Sequence, residues 1–348
     1  MLSIFYEAAY FVVKWPESRE GKRFYIMIER MKIGRREFIG IAGTLVLGTA
    51  LAINSKGEAH TQKKQSSIEV NRIGQERVPT PEKEQRIEII LTGDVMLGRT
   101  VMTESLDEVG DPAYPFRMVD ETLSQADLVF VNLENPIVSD CERIYEGYEL
   151  CALPELVEGL EKAGVDIVTL ANNHTRVYGQ EGIDETEETL SGKGILSTGL
   201  GELITKEIKG VKFGFLGFDF NTKMPKENDY DLVRESKPKV DVLIVGVHWG
   251  NEYHSEPTGF QKEWGKKLVE SGADVVSGHG PHWVIDKEYV NGKPVYYSLG
   301  NFVFDQMWSE ETRSGLAIKL IFEGRELVEE VELPIYMSNW AQPEFVEK

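Results

Sequence analysis

The order of apolar and polar positions from residue 86 onward predicts strands that alternate with helices. Short runs rich in Val, Ile and Phe are typical of buried strands, whereas apolar residues repeating every three to four positions are typical of helices. In the last predicted helix this repeat gives one apolar face, formed by Phe260, Trp264, Leu268 and Val269. The predicted strands are 86–92, 127–133, 165–170, 211–217, 241–247, 274–278, 294–299, 315–322 and 326–336, and the predicted helices are 153–163, 182–192 and 260–271.

Five of the predicted strands end in polar residues of types that bind metal ions. Alternating strands and helices favour a mostly parallel sheet, in which the carboxyl ends of the strands share one edge. Each residue alone is also explained by a helix cap, a turn or a buried histidine, but five such ends together favour a common site. The candidate residues are Asp94, Glu134, Asn173 with His174, His248, and His279 with His282.

The mixture of carboxylate, amide and imidazole groups indicates which metal such a site would take. Nitrogen and oxygen ligands together suit Zn, Mn or Fe, whereas Ca and Mg are bound by oxygen alone. A carboxylate between two cations holds them about 3.5–4 Å apart, and Glu134 is the residue expected to do so. The sequence therefore predicts a site for one or two divalent ions.

The charge of the chain restricts its partners. The formal net charge is -20, and residues 1–53 carry eight of the 38 basic and five of the 58 acidic side chains, so the remainder has a net charge of -23. This surface repels nucleic acid and other polyanions except where the charge is locally reversed. A bound metal ion provides one such reversal. Arg99, five residues after Asp94, is a predicted substrate contact, and Arg176 is a second cation expected near the site.

The first 85 residues have the features of an export signal followed by a linker. Arg35 and Arg36 precede an uncharged apolar run, 39–53, that ends in small residues typical of a cleavage site. The paired arginines resemble a twin-arginine signal, and an uncleaved membrane anchor is the alternative. We expect Met31 to be the natural start, with a genuine extension as the alternative. The predicted organisation is signal or anchor, 1–53; flexible linker, 54–85; folded domain, 86–338; and tail, 339–348.

The two cysteines, Cys141 and Cys151, lie in one predicted loop. In an exported domain they can form a disulfide, and in a reducing compartment they remain free thiols. The export signal favours the disulfide.

The strand-end residues lie within six short segments: 92–99 (TGDVMLGR), 132–136 (NLENP), 171–174 (ANNH), 247–250 (VHWG), 278–282 (GHGPH) and 297–302 (YSLGNF). In this order and combination, the segments resemble the poly-γ-glutamate capsule biosynthesis protein CapA family. The resemblance extends from about residue 87 to 306.

This family is similar to the calcineurin-like metallophosphoesterases, and the resemblance implies a fold and a role for each site residue. The implied fold is α/β, a four-layer α/β/β/α sandwich with the metal site at the strand ends. His174 is implied as the catalytic acid that faces the leaving group. Asn301, in the last segment, is a predicted substrate contact together with Arg99. The implied metal ligands are Asp94, Glu134, Asn173, His248 and His282, with His279 either as a further ligand or as a residue that orients one.

The sequence departs from the metallophosphoesterase pattern at positions that bear on the number of metal ions. Met96 stands two positions after Asp94, where those enzymes have a ligand histidine. The last two histidines are three residues apart instead of two, and Glu134 replaces an aspartate. One ion, or two weakly bound ions, are the alternatives.

Two functions are consistent with these features. The first is an exported metal-dependent hydrolase of poly-γ-glutamate capsule biosynthesis or processing, acting on a phosphoester or on the γ-amide backbone. The second is a non-catalytic, polyglutamate-binding component of a capsule assembly or export complex. His174 favours the hydrolase, whereas Met96 favours the binding protein. The expected partners are an anionic polymer or phosphoester and membrane-bound polyglutamate synthase proteins, and the expected location is the cell surface or the extracellular space.

Overall fold

The structure, a computed structural model, describes residues 4–7, 10–14, 25–29, 85–145, 147 and 150–347. The chain divides into two compact units, Met1–Val78 and Pro79–Lys348. In the first unit, the described residues form a three-stranded antiparallel sheet. The paired arginines, the apolar run 39–53, Met31 and nearly all of the predicted linker lie outside the described residues. Within the part of the chain that is described, no helix has the length and apolar character needed to span a membrane.

The second unit alternates strands with helices, as the apolar pattern predicts. In chain order the described strands are β1 Ile4–Glu7, β2 Tyr10–Lys14, β3 Tyr25–Glu29, β4 Arg86–Val95, β5 Leu128–Leu133, β6 Ile167–Thr169, β7 Leu196–Thr198, β8 Ile204–Ile208, β9 Val211–Asp219, β10 Val242–His248, β11 Val275–His279, β12 Val284–Ile285, β13 Glu288–Val290, β14 Lys293–Tyr296, β15 Ser298–Leu299, β16 Asn301–Val303, β17 Ser314–Glu323, β18 Glu326–Met337 and β19 Pro343–Phe345. The described α-helices are α1 Arg99–Thr103, α2 Asp120–Ser124, α3 Val157–Lys162, α4 Gly179–Gly192, α5 Glu227–Ser236, α6 Gly259–Ser271 and α7 Glu310–Arg313. A π-helical turn, Glu104–Val109, follows α1, and 3-10 turns lie at Tyr114–Phe116, Pro154–Leu156 and Lys237–Lys239.

The strands of the second unit, β4 to β19, form two main sheets. The first has the order β19-β18-β17-β4-β5-β6-β7, with β16 paired beside the end of β4. Strands β4 to β7 are parallel, whereas β17 to β19 add an antiparallel half. The second sheet has the order β13-β14-β11-β10-β9-β8, with β9, β10, β11 and β14 parallel. A two-stranded ribbon, β12 with β15, lies outside both sheets.

The sheets pack face to face, and helices cover their outer faces. Between them lies a dry core in which the rings of Phe130 and Phe215 stack with centroids 5.6 Å apart. The outer face of the first sheet packs against Leu160 of α3 and Leu190 of α4. The outer face of the second sheet packs against α5 and α6, for example through Leu268. The fold is therefore the four-layer α/β/β/α sandwich that the family resemblance implies.

The strand-end residues are divided between the two sheets. The residue pattern alone predicted a single mostly parallel sheet, but β4, β5 and β6 belong to the first sheet and β10 and β11 to the second. The pattern could not separate them, because strands buried on both faces are apolar throughout in either arrangement. The carboxyl edges of both sheets meet at the same end of the sandwich, where Asp94 of β4 contacts His279 of β11.

At the opposite end, the amino-terminal edges of the parallel strands share a repeated arrangement. An aspartate precedes each of four strands and accepts a hydrogen bond from a backbone N–H of the neighbouring strand, with N···O 2.9 Å in all four cases. The N–H of the same aspartate donates back to the carbonyl of that neighbouring residue. We name this reciprocal pair an aspartate clasp. The clasps are Asp127 with Glu88, Asp166 with Val129, Asp241 with Lys212, and Asp274 with Leu243.

Three local features bear on the predictions. Cys141 and Cys151 form a disulfide, with their Cα atoms 5.8 Å apart. The segment predicted as a tail, 339–348, contributes β19, which pairs with the end of β18 and extends the first sheet. Phe260 was predicted on the buried face of α6, but 59% of it is exposed and its ring stacks on Trp264 at 5.5 Å. Phe260 is in the first turn of α6, so it lies beyond the part of the helix that the sheet covers.

Candidate metal centre

Three strands bring acidic and imidazole groups together at the carboxyl edges. Asp94 lies near the end of β4, Glu134 directly after β5, and His248 at the end of β10. One ligand atom from each residue lies within 4.8 Å of the others. All three side chains are buried, with exposed fractions of 3% or less. This is the cluster of carboxylate and imidazole groups that the strand-end pattern predicts.

His282 adds a second imidazole next to both carboxylates. Its Nδ1 lies 3.1 Å from Asp94 Oδ2 and 3.0 Å from Asn301 Oδ1, and its Nε2 lies 3.6 Å from Glu134 Oε1. Both neighbours of Nδ1 are oxygen acceptors, so Nδ1 keeps its proton, and Nε2 is the atom that could bind a metal in exchange for its own proton.

His279 holds Asp94 from the other side. Its Nδ1 lies 3.2 Å from Asp94 Oδ1 without the alignment of a hydrogen bond, and its Nε2 lies 3.3 Å from Ser277 Oγ. Both ring nitrogens therefore have protein neighbours, which favours the interpretation that His279 orients a ligand.

A chain of amides that sequence reasoning missed supports Asp94. Asn132 donates to Asp94 Oδ1 at 2.9 Å, and Asn172 donates to Asn132 Oδ1 at 3.2 Å and to the carbonyl of Leu133 at 2.8 Å. All three polar side chains are buried. Asn132 and Asn172 each lie next to or near a predicted ligand in the segments NLENP and ANNH, and that proximity was the available signal.

Asn301 is fully buried, and its amide is used within the protein. Besides its contact with His282, it donates to Gln306 Oε1 at 3.1 Å and to the carbonyl of Thr312 at 3.0 Å. This arrangement positions the ring of His282. The substrate contact that the sequence suggested for Asn301 stays a prediction.

Asn173 and His174 lie at the open side of the cluster. Asn173 is exposed, and its Nδ2 lies 3.1 Å from His174 Nε2. His174 Nε2 lies 3.8 Å from Glu134 Oε1, and 21% of the side chain is exposed. The predicted acid His174 is thus next to Glu134, and the predicted ligand Asn173 is next to His174, although their roles stay predictions.

Close backbone approaches shape the cluster. The N–H of Gly280 donates to Asp94 Oδ2 at 3.3 Å. A Cβ atom at Gly280 would lie 2.9 Å from Nε2 of His248, and the φ of +104° is also unfavourable for other residues. Only glycine allows the loop after β11 to pass this close to both ligand candidates.

The buried charges shift one another's proton affinities. Burial would raise the pKa of Asp94, but His279 and His282 hold it well below its usual range. Burial would lower the pKa of His282, but Glu134 and Asp94 raise it to about 9. Burial raises the pKa of Glu134 well above its ordinary value and lowers the pKa of His248 to about 4. Burial, and then repulsion from His282 and Arg99, lowers the pKa of His174 to about 4.

The cluster fits a divalent cation. Oε2 of Glu134 and Nδ1 of His248 are buried and have no hydrogen-bond partner among the described residues, and a buried unpaired polar atom is costly unless something binds it. Two donors that each lie about 2 Å from one ion are about 3–4 Å apart, so small side-chain shifts would close the cluster around an ion. Met96, by contrast, is fully buried, and its sulfur accepts from the N–H of Gly98 at 3.0 Å.

The two candidate arginines differ in their surroundings. Arg99 donates to both carboxylate oxygens of buried Asp305, at 3.1 Å from Nε to Oδ2, and its Nη1 donates to the carbonyl of Gly147 at 2.9 Å. Arg176 is exposed, and its side chain has no hydrogen bond or ion pair to another described residue. The guanidinium of Arg99 is thus already bound in a bidentate pair with Asp305. The role of Arg99 as a substrate contact stays a prediction.

The second unit is thus an α/β/β/α sandwich with a candidate metal centre where the carboxyl edges of its sheets meet. The chain belongs to the family described as Bacterial capsule synthesis protein PGA_cap, whose profile matches residues 88–306. This confirms the family that the six sequence segments indicate.

Two curated relatives and one solved structure illustrate the similarity. The chain is 31% identical over 261 residues to capsule biosynthesis protein CapA of Bacillus anthracis, covering 67% of this chain and 63% of that protein. It is 29% identical over 248 residues to PGA biosynthesis protein CapA of Bacillus subtilis, covering 64% and 65%. It therefore spans less than two thirds of the length of either relative. A hypothetical protein from Thermus thermophilus superimposes with a TM-score of 0.48 at 16% identity, covering 71% of this chain and 98% of that one.

Proposed function

We propose that this protein acts in the synthesis or processing of a poly-γ-glutamate capsule and carries a divalent-metal site of hydrolase type. The observation that supports this most directly is the buried cluster of Asp94, Glu134, His248 and His282, which contains unpaired ligand atoms. Membership of a capsule synthesis family supports the polymer as the ligand.

Asp94, Glu134, His248 and His282 Nε2 would hold the metal, and Asn173, the further ligand that the family resemblance implies, contacts His174. Carboxylate and imidazole ligands together suit Zn, Mn or Fe. When bound, such an ion supplies Lewis acidity and a hydroxide at neutral pH. The site would therefore suit hydrolysis of a phosphoester or of a γ-amide bond.

The surrounding residues would orient this chemistry. Asn301 fixes the ring of His282, and Asn132 with His279 fixes the carboxylate of Asp94. With the amide of Asn173 as the donor, Nε2 of His174 accepts a hydrogen bond on the solvent side of Glu134. A proton at this atom could move to or from a leaving group.

The second candidate is a polyglutamate-binding component without catalytic activity. Met96 favours it, because this buried thioether stands where the metallophosphoesterase pattern has a ligand histidine. A site with fewer ligands binds a second ion weakly or not at all, and a single ion could hold a carboxylate of the polymer without cleaving it.

Metal analysis and hydrolysis assays on the same preparation test this proposal. We expect the full chain to bind about one equivalent of Mn, Zn or Fe and to cleave either a generic phosphodiester or poly-γ-glutamate in a metal-dependent manner. Binding of polyglutamate without cleavage would favour the second candidate. Absence of both metal and polymer binding would contradict both.

The protein is further proposed to be exported, as the paired arginines before residues 39–53 suggest. Replacing both Arg35 and Arg36 with lysine should keep the protein inside the cell, which fractionation would detect. Unchanged secretion would contradict the twin-arginine assignment.

A further inference from the structure

An exposed aromatic side chain lies beside the candidate metal centre. Trp308 has 59% of its surface exposed, and its ring meets that of Tyr253 edge to face with centroids 4.8 Å apart. The ring of Tyr253 in turn lies 5.9 Å from that of His282. Large exposed aromatic groups next to a site often mark a binding surface. Tyr253 and Trp308 therefore form an aromatic surface that extends from the metal-ligand candidate His282 to solvent.

The orientation of Tyr253 is fixed by the same residues that position His282. Its N–H donates to the carbonyl of Pro281 at 2.8 Å, and its hydroxyl accepts from Gln306 Nε2 at 3.2 Å. Gln306 accepts from Asn301, whose amide oxygen contacts His282 Nδ1. One hydrogen-bonded chain therefore connects the aromatic ring with the metal centre.

The backbone of Tyr253 shows that this position is imposed by the fold. Its φ of +60° lies in the left-handed region, which is unfavourable for a residue with a Cβ atom. Such conformations persist where several contacts hold them, and they concentrate at functional sites. A ring held in place before a ligand arrives loses little entropy on binding.

The charge around the rings argues for a contact that does not depend on charge. A tyrosine hydroxyl is neutral at physiological pH, and the next residue, Glu252, is an exposed acidic side chain. A polyanion meets repulsion here except at a metal ion. A γ-linked glutamate chain, however, has a backbone of methylene groups and flat amides that can lie against an aromatic face.

We infer that Trp308 and Tyr253 form a subsite for the methylene and amide backbone of an extended γ-linked glutamate chain. The rings support residues next to the one whose carboxylate or amide reaches the metal centre, and the other carboxylates remain in solvent. The choice of ligand rests on the proposed function, whereas the choice of residues rests on the ring contacts of Tyr253 with His282 and with Trp308.

Calorimetric titration of the metal-loaded full chain with a γ-linked glutamate oligomer of defined length tests the inference. We expect Trp308→Ala to weaken binding about tenfold or more, and Trp308→Phe, which keeps a ring, to weaken it less than about threefold. The metal content of both variants should equal that of the wild type. An α-linked oligomer of the same length has the same charge but a different backbone, and its affinity should change less.

Tyr289→Ala is the matched control. Tyr289 is 57% exposed on β13, which lies at the amino-terminal edge of the second sheet, and its loss should leave binding unchanged. If the wild type binds the oligomer and Trp308→Ala binds equally well, the subsite is wrong while the proposed function stands. An equal loss in Tyr289→Ala would also contradict the subsite. If the wild type does not bind the oligomer, the proposed polymer ligand fails, and the subsite fails with it.

Discussion

The two ends of the parallel strands use acidic side chains in opposite ways. At the amino-terminal edges, the four clasp aspartates accept backbone N–H groups, and Asp274 also pairs with Lys237 at 2.5 Å and Lys293 at 2.9 Å. At the carboxyl edges, Asp94 and Glu134 are completely buried among imidazoles, and Glu134 Oε2 has no hydrogen-bond partner among the described residues. Glu134 thus differs from the clasp aspartates in having an unpaired oxygen, whereas Asp94 accepts hydrogen bonds from Asn132, Gly280 and His282.

This difference separates structural from functional acidic residues without reference to relatives. A buried carboxylate with full hydrogen bonding stabilises the fold around it. A buried carboxylate that lacks partners costs free energy, and a fold retains it where something else binds it. Substitutions at the two edges should therefore affect different measurements.

The largest effect is expected from Glu134→Gln at the carboxyl edge. The amide keeps the shape but removes the negative charge, so affinity for Mn or Zn should fall by more than about 100-fold, beyond the 10–100-fold typical of residues that only orient ligands. The stability of the chelator-treated protein should change by less than about 1 kcal/mol, since Oε2 has no hydrogen bond to lose. Metal titration and chemical denaturation measure the two quantities. Metal binding equal to the wild type would contradict the site.

The opposite result is expected from Asp274→Asn at the amino-terminal edge. The carboxylate of Asp274 pairs with Lys237 and Lys293 and accepts the Leu243 N–H. Loss of its charge should lower the free energy of unfolding by about 1.5–3 kcal/mol. Metal affinity should not change. Asp241→Asn is the matched control, because the side chain of this exposed clasp residue has no lysine partner among the described residues, and its substitution should cost about 0.5–1 kcal/mol. Equal losses in the two variants would show that the lysine pairs contribute nothing.

A smaller effect is expected from Asn301→Ala. Its amide orients His282, so its loss should lower metal affinity about tenfold. The affinity for polyglutamate at saturating metal should then be near that of the wild type. If metal affinity is unchanged and polymer affinity falls, Asn301 is instead the substrate contact that the sequence suggested.

The smallest effect concerns acid stability at the amino-terminal edge. Burial opposes ionisation of Asp274, but hydrogen bonds from Lys237, Lys293 and the Leu243 N–H lower its pKa below the ordinary 3.8. A carboxyl group whose pKa is lowered by folding stabilises the protein above its unfolded pKa, and this contribution is lost as the pH falls through the folded pKa. The stability difference between the wild type and Asp274→Asn should be full above about pH 5 and shrink below about pH 4. A stability difference between the two proteins that does not depend on pH would contradict ionisation of Asp274 as its cause.

The sequence was sufficient to predict that these side chains cluster, because each lies at or shortly after the end of a recognisable strand. Asp94, Glu134, His248 and His282 were expected in one site, and the structure brings them together. The clasps were missed, although an aspartate directly before an apolar run at Asp127, Asp166, Asp241 and Asp274 was a visible signal. Those residues were assigned to strand starts without a role.

Other features have no signal in the sequence. The division into two sheets depends on which strand edges pair, and apolar runs do not encode that choice. The partner of Arg99 is Asp305, more than 200 positions away, so its bidentate pair is visible only after folding. Likewise, Trp308 and Tyr253 belong to separate loops whose contact follows from tertiary structure.

The clasps also limit which insertions and deletions the domain can tolerate. Glu134, Asn173 and His248 each lie seven residues after the clasp aspartate of their own strand, Asp127, Asp166 and Asp241. Since one end of each strand is fixed to its neighbour, removing one residue from β5 or β10 would shift Glu134 or His248 by about 3.3 Å and turn the side chain to the other face of the sheet. Length variation among related chains should therefore collect in the loops outside these three intervals.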